Sequence, residues 1–393
     1  MDEYFLNELQ KMQSELVPIL HDLHAHPELA MEEVRTSKLV ADKLEEYGLI
    51  VTTGIGRFGV VGTLQSDHPG DYSIALRADM DALQLTEETD LSYSSTIPGV
   101  MHACGHDGHT VMLLGAAKYL AEHRDSFRGT VHFIFQPAEE KLLGAIAMIN
   151  DQLFQRFPVD AIYGLHNSPR IPLGHFVIRP GPMMAASDRW LVTFRGTGGH
   201  GGAYPHLATD VTVLQAQFVL ALQTIVSRNI SSADSAVISI GAIEGGNLQS
   251  LNVMPSELRI GGTSRSFTES VRDTIEQRMK ELAEGLAQSY ACTAEVDYQR
   301  FGRALINHDK QTSQAIKAAQ ALVGENNVNG NCAPFTAGED FAYMVEAKAG
   351  AFMCMGNGIT SSPVHSPTYV FDTDSISFGV GFWIKLVQLE LKC

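Results

Sequence analysis

Apolar residues near the start of the chain recur at spacings of three and four. They are Leu6, Leu9, Met12, Leu16, Ile19, Leu20 and Leu23. This spacing is typical of an amphipathic helix with one buried face. A second helical pattern covers residues 36–47 and ends at Gly48, a residue type suited to a helix C-terminus. We therefore predict that two helices open the chain.

Short apolar runs then alternate with helical patterns. Residues 59–64, 73–76, 131–135 and 161–165 are predicted to be buried strands. A helix is predicted at residues 110–123, between the second and third of these runs. Buried strands that alternate with helices predict an α/β sheet covered by helices on both faces.

The middle of the chain has a different pattern, with two successive strand–helix–strand units. The predicted strands are residues 190–194, 236–242, 257–264 and 293–298, and the predicted helices are residues 208–227 and 268–290. This order favours a compact α+β domain with a four-stranded sheet. The α/β pattern resumes with a helix at residues 312–323, an apolar run at residues 351–355 and a final helix from Ser375. We predict an inserted domain at residues 185–299 and one discontinuous domain made of residues 1–184 and 300–393.

Length, charge and cysteine content limit the possible classes of protein. The 393 residues exceed the roughly 250–300 at which single cores stop growing, which favours two domains. A net charge of -17 without a basic cluster argues against nucleic acid as a partner. The N-terminus is acidic and no apolar run approaches a membrane span, so we expect a cytoplasmic protein with no membrane partner. Five cysteines without a CxxC pair indicate neither a disulfide framework nor a zinc finger.

Polar residues follow three of the predicted strands. Asp79 and Asp81 follow the second strand, Glu139 and Glu140 the third, and His166 the fourth. In open α/β sheets, ligands bind beyond the carboxyl ends of the strands. We therefore expect these side chains to converge.

The segment MHACGHDGH, residues 101–109, combines a thiol, three imidazoles and a carboxylate. Cys104 and His106 lie in a loop just before a predicted helix, and thiolate with imidazole suits zinc or another borderline metal. The alternative is a polar loop in which Asp107 caps the helix. A cluster of so many potential ligands favours the metal site.

The adjacent carboxylates Glu139 and Glu140 favour a division of labour. One would ligate a metal while the other takes a proton from metal-activated water. The alternative is a solvated turn. His166 and His365 are ambiguous alone, but beside the other clusters both become candidate ligands.

His200 stands in the glycine-rich run of residues 196–202, which lacks the lysine and spacing of a P-loop. A histidine framed by glycines is suited to contact something that approaches closely, whereas the alternative is a glycine-rich hairpin. The guanidinium of Arg265 suits a carboxylate, and Asn252 lies in a predicted turn. Taken alone, either residue is better explained by a surface position.

These motifs resemble those of the M20 metallopeptidase family, in its amidohydrolase branch of aminoacylases, hippurate hydrolases and auxin-conjugate hydrolases. In family order they are RADMDAL, MHACGHDGHT, FQPAEE, GLHN, GTGGHGG, NVMP, GTSRS and GEDF. The resemblance implies a zinc-peptidase-like catalytic domain with a mixed central sheet covered by helices. It also implies a ferredoxin-like inserted domain that serves as a lid and as the contact of a homodimer, or of a tetramer.

The resemblance further implies roles for individual residues. The ligands of a dinuclear centre would be Cys104, His106, Glu140, His166 and His365. Glu139 would be the general base, and His200 would stabilise the reacting carbonyl oxygen, often across a dimer interface. Asn252 and Arg265 would bind the substrate and its carboxylate. Residues 141–144, KLLG, depart from the usual glycines of this branch, which bears on substrate choice.

The expected function is a metal-dependent amidohydrolase that cleaves N-acyl amino acids to a carboxylic acid and a free amino acid. Two divalent ions per chain are expected, zinc or manganese, with cobalt or nickel left open. One alternative is a dipeptidase or carboxypeptidase that uses the same dinuclear site. Another is a catalytically silent protein that binds metal or a small molecule.

Overall fold

The computed structural model describes residues 3–392, with the side chains of Glu3, Tyr4 and Leu6 outside the described part. The helices are α1 Glu3–Ala25, α2 Val34–Glu46, α3 His106–Glu122, α4 Gly144–Asn150, α5 Leu153–Arg156, α6 Val211–Thr224, α7 Glu269–Ser289, α8 Asp309–Val323, α9 Phe341–Ala347 and α10 Ser375–Glu390. The strands are β1 Ile50–Ile55, β2 Gly59–Gln65, β3 His68–Asp79, β4 Arg128–Gln136, β5 Ala161–Ser168, β6 Phe176–Val177, β7 Gly181–Met184, β8 Ala186–Arg195, β9 Gly199–His200, β10 Ala236–Gly245, β11 Val253–Met254, β12 Glu257–Ser266, β13 Thr293–Gly302, β14 Leu305–Asn307, β15 Val328–Asn329 and β16 Gly350–Gly356.

The chain forms two compact units. Unit 1 contains the chain up to Met183, Ile306–Pro334, and the chain from Glu339 onward. Unit 2 contains Met184–Leu305 together with Phe335–Gly338. The short second segment of unit 2 gave no signal in the sequence, because its four residues are too few to show a period.

Unit 1 is built on an eight-stranded sheet with the order β1-β2-β4-β3-β5-β16-β6-β15. The pairs β4/β3, β3/β5 and β5/β16 are parallel, whereas β1/β2, β2/β4 and β16/β6 are antiparallel. The predicted α/β fold with a mixed sheet is therefore confirmed. All seven residues of β16 and the last six of β3 are buried, as expected of strands covered on both faces.

Helix α3 begins at His106, four residues before the predicted start. Gly105 precedes it with φ +85, a left-handed conformation that glycine adopts without strain. His106, Asp107 and His109 thus lie in the first turn of a buried helix and not in a loop. The sequence pattern missed this turn because its buried polar residues break the apolar period.

Three central strands extend further than the sequence predicted. Strand β3 includes Arg77 and Asp79, β4 includes Gln136, and β5 includes His166 and Asn167. Backbone pairing continues through these positions, since Ala78 pairs with Phe135 and Asp79 with Gln136. The polar side chains are therefore held on regular, rigid strands.

Unit 2 contains a four-stranded antiparallel sheet with the order β10-β12-β8-β13. Helices α6 and α7 pack on it through a core that includes Phe194, Phe218 and Ile275. Both helices begin at side-chain caps: Asp210 accepts the N–H of Thr212, and Thr268 accepts that of Val271. The β-α-β-β-α-β order thus gives a sheet with helices on one face.

One helical stretch, Val211–Asn229, is long and apolar enough to cross a membrane by length and composition alone, the single such stretch in residues 3–392. Its mean hydropathy is 1.2 and it includes α6 with a following π-helical turn. Leu214, Phe218 and Leu222 of this stretch belong to the core of unit 2. Because core helices pass the same test, we infer no membrane span from it.

Candidate metal centre

The sequence-predicted metal ligands in unit 1 meet at the edge where the parallel strands end. Cys104 lies just before α3 and His106 is the first residue of α3, whereas Glu140 follows β4 and His166 lies near the end of β5. His365 lies in the segment between β16 and α10, with φ +62. The elements of the sheet thus place all five side chains on one side of the fold.

These five side chains form one cluster. Ligand atoms of Cys104, His106 and Glu140 all lie within 4.8 Å of one another. Cys104 Sγ is 3.5 Å from His166 Nε2, and His365 Nε2 is 3.3 Å from Glu140 Oε1. Cys104 and His106 are buried, whereas the side chain of His365 is 52% exposed. The cluster is therefore open to solvent on the side of His365.

Several donor atoms in the cluster are buried without hydrogen-bond partners among the described residues. They include Nε2 of His106. His166 is held by its other nitrogen, because Nδ1 donates to the carbonyl oxygen of Asn167 at 2.6 Å and Nε2 then faces the thiol. Buried polar atoms are rarely left unpaired, and this arrangement of thiol, imidazole and carboxylate fits divalent metal ions.

The electrostatics of the cluster also fit a cation. Burial, and then Glu140, raise the pKa of the Cys104 thiol. Hydrogen bonds with Cys104 and Glu140 raise the pKa of His365 to about 10. Burial, and then the neighbouring His109, hold the pKa of His166 well below its usual value, so its imidazole is neutral as a metal ligand must be.

Glu139 lies beside this cluster and is buried, with 6% of its surface exposed. Burial raises its pKa well above the usual value, and the charges of Glu339 and Glu140 raise it further. A carboxyl group that holds its proton more tightly than usual is suited to act as both base and acid near neutral pH.

Asp81 holds the backbone of both glutamates. Its two carboxylate oxygens accept the N–H groups of Glu139 and Glu140, each at 3.0 Å. Its Oδ1 also lies 3.3 Å from Nδ1 of His106. The sequence placed Asp81 in a polar cluster after β3 but assigned it no role, because a backbone contact leaves no signal in the spacing of residues.

Asp79 and His109 lie with His106 and His166 in a second group that could hold a metal ion. However, Asp79 uses one oxygen for Nδ1 of His109 at 2.6 Å and the other for Arg77 at 2.8 Å. Nε2 of His109 accepts the backbone N–H of Asn167 at 2.9 Å. Since these donor atoms are already paired, the group is better explained as support for the cluster than as a further metal site.

A third group contains Glu139, Glu339 and Asp340. Arg77, which is fully buried, donates to Glu339 at 3.0 Å and to Asp340 at 3.2 Å. This guanidinium already balances charge in the group. We therefore assign it to an ion network behind Glu139 and not to a metal.

Asp107 does not cap α3. It lies inside the first turn, and its carboxylate is 2.7 Å from Nδ1 of His24 on α1. Nε2 of His24 is 3.2 Å from Glu87. Asp107 therefore ties the metal-binding segment to the N-terminal helix.

The remaining predicted site residues lie in unit 2. His200 is exposed on β9, and its Nδ1 accepts the N–H of Ala203 at 3.1 Å, which leaves the proton on Nε2 free to be donated. The carbonyl oxygen of Asn252 accepts the N–H of Gly201 at 2.9 Å, next to the β9–β11 pair. Within this unit, His200 and Asn252 are thus close neighbours.

Arg265 lies at the other end of the same unit. It is paired with Ser187 near the start of β8, whereas the opposite end of β8 leads into the run that carries His200. Its Nε donates to the carbonyl oxygen of Thr336 at 3.2 Å. A strand of ten residues spans about 30 Å, so one copy of unit 2 does not bring Arg265 to His200.

Comparisons with known proteins identify the family of the chain. The model of peptidase family M20/M25/M40 matches residues 75–389. Hippurate hydrolase of Campylobacter jejuni is 40% identical over 98% of this chain and 99% of its own length. N-acetylcysteine deacetylase of Bacillus subtilis is 36% identical over 96% of this chain and 97% of its own.

A solved structure extends the comparison to the metal centre. The Bacillus subtilis YXEP protein, described as a dinuclear metal binding peptidase from the M20 family, has a TM-score of 0.85 and 31% identity, over 98% of this chain and 99% of its own. Together with the donor cluster, this similarity supports metal ions in the site. The chain therefore belongs to peptidase family M20/M25/M40, in its amidohydrolase branch.

Proposed function

We propose that this enzyme is a metal-dependent amidohydrolase that cleaves N-acyl amino acids to a carboxylic acid and a free amino acid. The observation that carries the proposal is the cluster of thiol, imidazole and carboxylate donors beside Glu139, a buried carboxyl group whose pKa is raised. The names of the similar hippurate hydrolase and N-acetylcysteine deacetylase support this class of substrate.

The proposed metal ligands are Cys104, His106, Glu140, His166 and His365. Two divalent cations bound there would polarise the substrate carbonyl and lower the pKa of a water molecule. The thiol and imidazole donors favour zinc, and the mixture of nitrogen and oxygen donors also suits manganese, with cobalt and nickel as weaker candidates.

Glu139 is proposed to move the proton. Its carboxylate accepts a proton from the attacking water and later returns it to the nitrogen of the leaving amino acid. The N–H bond to Asp81 fixes the backbone of Glu139 during both transfers. This return of the proton is necessary because the nitrogen of the amino acid must be protonated to leave as a neutral amine.

We further propose that the enzyme acts as a homodimer, or as a tetramer, joined through the domain at residues 185–299. His200, Asn252 and Arg265 are proposed to bind the same substrate, yet unit 2 holds Arg265 at one end and the other two at the far end. Two copies would resolve this separation, with His200 and Asn252 supplied by the partner. The exposed leucines Leu248 and Leu251, 87% and 83% exposed, lie in the segment that leads to Asn252 and would be covered by that contact.

We also propose that the enzyme works in the cytoplasm. Cys104, Cys292, Cys332 and Cys354 are all free thiols. Free cysteines suit a reducing compartment.

Hydrolysis by metal-depleted protein tests the proposed activity. N-acetyl and N-benzoyl amino acids are assayed beside dipeptides, with and without added zinc or manganese, by release of free amino acid. The proposal expects metal-restored hydrolysis of the N-acyl substrates. Hydrolysis of dipeptides alone would replace it with a peptidase, and metal binding without hydrolysis of either class would indicate a silent binder. Glu139→Gln serves as the control for catalysis by this site.

Mixing two inactive variants tests the proposed dimer. Glu139→Gln removes the base, and His200→Ala removes the residue proposed to act in the partner's site. If subunits exchange freely, half of the dimers combine both variants and each has one complete site, which restores about a quarter of wild-type activity. No recovery despite proven exchange would show that His200 does not act across subunits.

A further inference from the structure

Glu33 contacts the segment that carries Glu139 and Glu140, although 105 residues separate it from its contact in the sequence. It lies in the connection between α1 and α2 and is fully buried. Its Oε1 accepts the backbone N–H of Ala138 at 2.7 Å. Its Oε2 is buried without a hydrogen-bond partner among the described residues.

Ala138 is the residue at which the chain turns away from β4. Its φ is +55, in the left-handed region that L residues other than glycine seldom adopt. Its carbonyl oxygen accepts the N–H groups of Leu143 at 3.2 Å and Gly144 at 3.1 Å, where α4 begins. Ala138 is therefore held by its N–H on one side and by its carbonyl on the other.

Two carboxylates thus hold three consecutive amides. Asp81 holds the N–H groups of Glu139 and Glu140, and Glu33 holds that of Ala138 immediately before them. Burial, and then the charge of Asp81, raise the pKa of Glu33 to about 7. A second buried acid so close to Asp81 is unfavourable because the two negative charges repel each other. The contact of Glu33 with Ala138 therefore needs an explanation.

We propose that Glu33 is a positioning residue, whose side-chain oxygen fixes the left-handed conformation of Ala138 and thereby the direction in which Glu139 faces the metal centre. This inference rests on the proposed function, because it assigns Glu139 the role of base. Among the described residues, the hydrogen bond of the Glu33 side chain goes to Ala138 and not to a donor of the metal cluster. Its effect passes through the backbone.

Three substitutions at Glu33 separate the effects of side-chain length, charge and volume. Glu33→Gln keeps an oxygen at the same distance but removes the charge. Glu33→Asp keeps the charge but withdraws the oxygen by one methylene. Glu33→Leu keeps much of the volume and leaves the Ala138 N–H unpaired.

The measurements are kcat and KM for an N-acyl amino acid, bound metal per chain, and hydrogen exchange of the peptide that contains Ala138. We expect Glu33→Gln to keep kcat within about threefold of the wild type. Glu33→Asp and Glu33→Leu should lower kcat by about tenfold or more with KM little changed, since an unpaired buried amide shifts the turn out of place. Exchange at Ala138 should rise in the same two variants.

Other outcomes would overturn the proposal. If Glu33→Asp is active and Glu33→Gln is not, activity depends on the charge of residue 33 and not on the position of its side-chain oxygen. Equal kcat in all variants, or equal loss in all, would also contradict it. If Glu33→Leu does not fold, the comparison of Glu33→Asp with Glu33→Gln still tests the proposal. If the wild type hydrolyses no N-acyl amino acid, the proposed function fails, and hydrogen exchange still reports whether Glu33 holds Ala138.

Discussion

Asp81→Asn tests whether backbone contacts, and not only ligand identity, hold the metal centre together. The aspartate uses one oxygen for the N–H of Glu139 and the other for that of Glu140, both at 3.0 Å. Asparagine keeps one oxygen and replaces the other with an NH₂ group that cannot accept. One buried amide is then left unpaired while the size of the side chain stays the same.

The expected size of the effect follows from that single lost bond. Leaving a buried donor unpaired costs about 1–3 kcal/mol, which corresponds to roughly 5- to 150-fold in an equilibrium constant. Because the two amides belong to a proposed ligand and the proposed base, we expect weaker metal binding together with a lower kcat. Loss of partners behind metal ligands commonly weakens binding by about 10–100-fold, the same range.

Competition with a chelator measures the metal affinity, and steady-state kinetics at saturating metal measure kcat. Asp160→Asn is the matched control, since Asp160 accepts one amide, that of Ser73 at 2.9 Å, and asparagine can still accept it. We expect the control to keep both properties. Wild-type metal affinity and kcat in Asp81→Asn would refute the reasoning that these two amides set the geometry of the centre.

Three further predictions follow from single contacts. Cys104→Ala should weaken metal binding by more than about 100-fold in a metal titration, whereas Cys332→Ala, with a similar exposure of 8% against 7%, should keep it. His24→Leu should lower the free energy of unfolding by about 3–5 kcal/mol at pH 7 in urea titrations, because Asp107 loses its buried partner. Burial alone would lower the pKa of His24, but Asp107 and Glu87 raise it to about 10. The difference in free energy of unfolding between the wild type and His24→Leu should therefore be largest below pH 6.5 and should decrease as the pH rises through 10. Gly144→Ala should lower both the melting temperature and kcat, since its Cβ would lie 1.5 Å from the backbone oxygen of Pro137, in the turn that carries the proposed base Glu139.

The sequence predicted the sheet of unit 1 and its polar edge because both depend on local pattern. Apolar runs of four to six residues marked the central strands, and His166 followed one of them closely enough for its place to be predicted. The motif that contains Cys104 and His106 concentrates so many donors that a metal site was the simplest interpretation. Local composition therefore predicted the candidate donors without any knowledge of their distances.

The sequence could not predict the residues that support these donors. Glu33 resembles an ordinary surface glutamate between two helices, yet it is fully buried against Ala138. Arg77 directly follows the apolar run of residues 73–76, and only the fold shows that it pairs with Glu339 and Asp340, more than 260 residues away. Such partners come from distant segments, and no spacing along the chain records them.

The balance of buried charge explains why the supporting residues matter. Asp79, Asp81, Glu139, Glu339 and Asp340 are all nearly inaccessible to solvent, and Arg77 is the buried arginine that pairs with three of them. Buried carboxylates are costly unless cations or hydrogen bonds compensate them. Cations supply part of the compensation, because Arg77 pairs with three of these carboxylates and His109 lies 2.6 Å from Asp79. Backbone amides supply another part, since Asp81, Glu339 and Asp340 each accept at least one N–H group. The support of the proposed metal centre and the stability of unit 1 therefore depend on the same contacts.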